Sequence, residues 1–144
     1  MPQARYRHLL AVDLGERRIG LAVSDPTGVL ASALAVVHSH GRARDVQAVA
    51  ETAQREGVEA VLVGVPVSMS GGRGPMAEKS HRFGELLAER SGLPVVYWDE
   101  RLTTVEASRY LRDAGMRAAK RRQTIDAHAA AVLLQSYLDY VRSP

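Results

Sequence analysis

Two apolar runs, residues 7–14 and 17–24, meet through the short polar link "GERR". A link of that length leaves no room for a crossover, so two strands joined by it must be antiparallel neighbours. A third run, "VLASALAVV" at 29–37, is reached through the turn "DPTG" and extends the pair into a meander. From there the pattern changes to alternation. A helix is expected over 45–56, with Val46, Val49, Ala50 and Ala53 on one face and Gly57 as its stop. "EAVLVGVP" (59–66) is apolar on both faces, as a parallel strand covered by helices is. The loop "SMSGGRGP" (68–75), a helix over 75–91 and a strand over 94–100 follow. Thr103 and Glu106 have capping-box spacing for a helix ending at Gly115, and a final helix spans about 125–141. The expected fold class is α/β: a mixed five-stranded sheet, a meander plus two parallel strands, flanked by helices. An antiparallel opening excludes a simple doubly wound sheet.

The 144 residues suit one domain, 1–144, with 46% hydrophobic and 24% charged residues marking a globular chain. No apolar stretch is long enough to span a bilayer, and "MPQARYRH" lacks a signal core, so a cytoplasmic protein is expected. Cysteine is absent, which removes thiolate catalysis and leaves oxygen and imidazole as metal ligands. The net charge of +3 is unevenly spread. "RDAGMRAAKRR" (112–122) sets five cations against Asp113, a patch suited to a polyanion backbone.

Three acids stand where acids are expensive. Asp13 ends the first strand, and Glu100, beside Asp99, ends the last. Asp126 opens the final helix, and at 100° per residue Ala130, Leu133 and Tyr137 fall within about 40° of it. It therefore belongs to the stripe that should pack on the sheet. Sites in such sheets form beyond the carboxyl ends of parallel strands. Three carboxylates meeting there repel each other unless a hard cation, Mg²⁺ or Mn²⁺, joins them, and such ions suit phosphodiester hydrolysis. Structural readings compete: Asp13 as a turn cap, Glu100 paired with Arg101, Asp126 capping its helix.

"AVDLGERRIGLAVSD", "VLVGVPVSMSGGRGP", "VYWDERLTTVEA" and "IDAHAAAVLLQSYLD" resemble, in order, the four sequence blocks of the YqgF family, also called RuvX or the Holliday junction resolvase family. The likeness covers nearly the whole chain. It implies a ribonuclease H-like fold and a cytoplasmic bacterial nuclease dependent on divalent metal, with its acids at Asp13, Glu100 and Asp126. The resemblance also implies a role at the 5′ end of 16S ribosomal RNA precursor, with branched DNA as the alternative substrate. A junction resolvase would work as a two-fold homodimer. Related nucleases often carry a fourth acid; Asp99 and Asp25 are candidates here, and His128 could be a ligand or proton shuttle. Arg73, Arg101, Arg117, Lys120, Arg121 and Arg122 are the expected nucleic-acid contacts, and Tyr97 or Trp98 could stack a base. Two other classes fit less well. A sugar kinase or actin-like ATPase needs a second lobe, and a non-catalytic nucleic-acid or ribosome-binding module would keep the fold and the basic patch alone.

Overall fold

The computed structural model describes residues 6–67, 74–103 and 122–143, the last segment with side chains from Ala127 onward. β1 (Leu9–Leu14), β2 (Arg18–Ser24) and β3 (Ala31–His38) form the antiparallel meander. β4 (Ala60–Val65) pairs parallel with β1, and β5 (Val95–Asp99) parallel with β4, giving the order β3-β2-β1-β4-β5. The expected mixed sheet is the observed one. The helix expected to end at Gly115 lies outside the described residues.

Helices α1 (Arg42–Glu56) and α2 (Pro75–Ser91) cover one face of the sheet, and α3 (Arg122–Arg142) covers the other. Strand alternation sorts the side chains between these layers. Leu10, Val12 and Leu14 of β1 pack with Val46, Val49, Phe83 and Leu87. Leu9 and Ala11 pack instead with Leu133, Leu134 and Tyr137. Asp13, the next odd position, therefore shares the α3 face.

Helix ends follow the local chemistry. Gly57 ends α1 at φ 69°, and its N–H donates to the carbonyls of Ala53 and Gln54 at 3.1 and 3.2 Å. α1 starts at Arg42, three residues earlier than expected, because the Asp45 carboxylate reaches back to Ser39 Oγ (2.6 Å) and the His40 amide (2.9 Å). The last helix also departs from expectation. Ala130, Leu133 and Tyr137 are buried in the core as expected, but every residue from Ala130 to Leu138 is buried, so the middle of α3 is enclosed on all sides. Buried Gln135 is satisfied there by accepting from the Ala31 amide (2.9 Å) and donating to Val29 O (2.9 Å) and Asp139 (3.0 Å). Among the described residues no helix is long and apolar enough to cross a membrane.

Candidate active site

The carboxyl ends of β1, β4 and β5 lie along one edge of the sheet, because all three strands run parallel. Asp13 sits one residue before the end of β1, paired across the ladder with Gly20 of β2. Glu100 is not the last residue of β5, as the sequence suggested. It opens a short 3₁₀ turn, Glu100–Leu102, that begins where the strand stops. Asp99 makes that turn by accepting from the Arg101 amide at 2.8 Å. By strand alternation Asp99, two residues after Tyr97, falls on the α1–α2 face of the sheet.

Asp13 and Glu100 meet. Their carboxyl groups are hydrogen-bonded to each other, although β4 lies between their strands. The strand between supplies Gly64 at that level. A Cβ placed on Gly64 would stand 2.7 Å from Leu133 Cδ2 and 3.0 Å from Glu100 Oε2. The missing side chain is thus the space in which the two acids approach. Sequence reasoning passed over Gly64, although a glycine inside a strand often marks a close approach.

The proximity carries an electrostatic penalty. Burial first, then the negative charge of Asp13, its hydrogen bond and the charge of Asp99, push the Glu100 carboxyl up to about 7. Burial also raises Asp13 above the ordinary aspartate range, with the Glu100 hydrogen bond acting the other way. Both carboxyls are therefore pushed toward the protonated form, Glu100 by its burial and by the charge of Asp13 beside it. A pKa raised in the folded state adds stability that is full below the ordinary value of 4.5 and is lost as pH climbs through about 7. Because Glu100 is partly solvated, screening leaves roughly 1–2 kcal/mol of this effect. Metal-free protein should therefore lose that much stability between pH 4.5 and 8 in denaturant titrations. Glu100→Gln should flatten this segment of the profile, and added Mg²⁺ should restore stability at pH 8.

The other predicted residues divide clearly. Arg101 does not pair with Glu100; it grips Asp99, with Nη2 at 2.6 Å and Nε at 2.9 Å from Oδ2. The arginine holds the Asp99 carboxyl below the usual range, and both carboxylate oxygens accept from Arg101. That leaves Asp99 poorly placed as a fourth ligand. Asp25 is excluded by position. It follows β2, at the sheet edge opposite Asp13, and its carboxylate accepts from the amides of Thr27, Val29 and Leu30 at 3.0, 2.9 and 2.8 Å.

His128 is half-buried in α3, about 160° round the helix from Ala130. Trp98 is a core residue set edge-on to Tyr137, and Tyr97 packs on the other face of the sheet, stacked on His81 at 4.4 Å. Neither is a free stacking platform. Asp126 falls within the first turns of α3, one turn before buried Ala130 and two before Leu133, the residue that meets Gly64. Its side chain and that of Arg122 lie outside the described residues, as do Arg73, Arg117, Lys120 and Arg121.

Relatives and neighbours in the protein world agree with this architecture. A protein from Chloroflexus aurantiacus named "Putative pre-16S rRNA nuclease" is 43% identical over 94% of this chain and 88% of its own length. One of the same name from Symbiobacterium thermophilum is 47% identical over 89% of each chain. Among solved structures, Thermus thermophilus RuvC in complex with a Holliday junction matches with a TM-score of 0.67 at 18% identity, covering 95% of this chain and 96% of that one. The Fowlpox virus resolvase with junction DNA matches at 0.60 and 15% identity, covering 94% and 99%. The RuvX family, described as Holliday junction resolvase, matches residues 7–140, and so this chain, with its ribonuclease H-like fold, belongs to the RuvX family.

Proposed function

We propose that the protein is a divalent-metal-dependent nuclease that hydrolyses phosphodiester bonds in the precursor of 16S ribosomal RNA, with Asp13, Glu100 and Asp126 as its metal-holding carboxylates. One observation carries the reading: Asp13 and Glu100 arrive from separate strands and face each other over a strand with no side chain between them. Two half-buried acids that face each other form an oxygen donor set, which suits Mg²⁺ or Mn²⁺. Bound there, such ions neutralise charge on the scissile phosphate, activate a water and stabilise the leaving oxygen.

The chain's own part is positional. The β1 ladder fixes the backbone of Asp13 against Gly20 of β2, and that of its neighbour Val12 against Val63 of β4. The turn clasped by Asp99 and Arg101 fixes that of Glu100. Asp126 lies about one turn into α3, whose buried middle cannot shift without breaking the Gln135 hydrogen bonds. The segment 117–122 carries cations for the nucleic-acid backbone, and Arg101 follows Glu100 in the chain with its guanidinium on Asp99.

RNA is favoured over branched DNA because the close relatives in sequence bear the RNA name. The junction-bound neighbours share under a fifth of their residues with this chain, which speaks for the fold alone. A parallel assay decides: purified protein with Mg²⁺ or Mn²⁺, offered precursor RNA, single-stranded RNA and a four-way junction. Cleavage of the precursor RNA is expected. Cleavage of the junction alone would reassign the substrate, and no cleavage of any would favour a binding module.

A further inference from the structure

Next to the carboxylate pair lies a cavity of about 330 Å³ that no step above uses. Arg17 of the β1–β2 turn and Arg18, the first residue of β2, line it, and Ala129 of α3 lines it as well. Gly15 and Gly20 leave its sheet side bare, and Asp13 borders it. That volume is at the low end for small-ligand sites, about 300–1,000 Å³. It can take one nucleotide.

The turn that presents the arginines is held by its backbone. Gly15 N–H donates to Arg18 O at 2.8 Å, and Ser39 N–H donates to Arg17 O at 2.9 Å. Neither bond uses a side chain. Arg18 lies two residues before Gly20, the ladder partner of Asp13, so it shares the catalytic face. Guanidinium groups match phosphate oxygens in a two-pronged geometry. Glu16 and Asp13 also line the cavity, so two acids stand among its two guanidinium groups.

We infer that this cavity is a phosphate subsite: Arg17 and Arg18 hold the backbone phosphate of the nucleotide adjoining the scissile bond in a single RNA strand. The inference rests on the nuclease reading for the location of the scissile bond, but it is testable by binding alone. The measurement is the affinity of a fluorescent single-stranded RNA oligonucleotide in Ca²⁺, across a series of KCl concentrations, for the unaltered protein and for Arg17→Ala/Arg18→Ala. The double variant should bind about 10–100-fold more weakly, and its salt slope should shrink by about 1.4, two contacts at roughly 0.7 each for a single strand. In cleavage assays KM should rise by a similar factor.

Arg17→Gln/Arg18→Gln keeps the stems without the charge and should lose the same affinity, which decides the matter if the alanine variant misfolds. Arg17→Lys/Arg18→Lys should recover the salt slope and only part of the affinity. Unchanged affinity and slope in the charge-free variants would overturn the subsite, as would a fall in kcat with KM unmoved. Failure of the nuclease reading looks different: the unaltered protein would bind RNA and cut nothing, with the arginine dependence still decided by the titration.

Discussion

Asp13→Asn should abolish RNA cleavage, by at least ~10³-fold in kcat/KM, while the protein remains folded and still binds RNA. The size follows from the proposed role. Metal-held carboxylates act on charge that develops in the transition state, worth several kcal/mol, and each 1.36 kcal/mol is a tenfold rate change. An amide keeps the shape of the side chain and its place on β1, so the fold has no reason to fail. It also ends the repulsion with Glu100 and should make the metal-free protein at pH 8 slightly more stable, as functional sites commonly trade stability for activity. Single-turnover cleavage, RNA titration in Ca²⁺ and a melting curve on the same preparation separate these statements. Residual cleavage within tenfold of the unaltered protein would remove Asp13 from the mechanism.

Gly64→Val should be the most damaging single change outside the acids. Its Cβ alone would stand 2.7 Å from Leu133 and 3.0 Å from Glu100 Oε2, and valine adds two methyl groups beyond it. Leu133 is buried and cannot turn away into solvent. Overpacking of this kind costs about 1–3 kcal/mol, and the value here should lie near the top, about 3 kcal/mol in denaturant titrations. Activity should fall at least ~100-fold even in the folded fraction, because a displacement of about 1 Å at reacting groups is enough for that. Gly64→Ala should show both effects in smaller measure. If Gly64→Val retained full cleavage, the meeting of Asp13 and Glu100 over β4 would have no bearing on catalysis.

The fold was largely legible in the sequence, and for a physical reason. A two-strand meander forced by "GERR", followed by alternating helices and apolar strands, leaves few ways to bury the apolar faces. The observed sheet order is one of them. Asp13 could be picked out because an acid at the end of an apolar run has few structural excuses, and Glu100 for a similar reason. What the sequence hid was local. Arg101 directly follows Glu100 and stands two residues from Asp99, and only the 3₁₀ turn after Asp99 decides which carboxylate it reaches. Gly64 reads as an ordinary residue of a buried strand until Leu133 is packed over it from α3. The enclosure of the middle of α3 likewise could not be read from periodicity, since Gln135 is a polar letter whose burial depends on Ala31 and Val29, far away in sequence.

The two facing acids stand on segments of unequal resistance to local opening. β1 lies mid-sheet with a neighbour on each side, whereas the 3₁₀ turn follows β5, which ends the strand order. Amide hydrogen exchange in β1 should then need global unfolding, while the Arg101 and Thr103 amides, held to Asp99 and to the Glu100 carbonyl, can exchange through fraying of the turn. Local opening on the Glu100 side of the site should therefore cost less than opening on the Asp13 side.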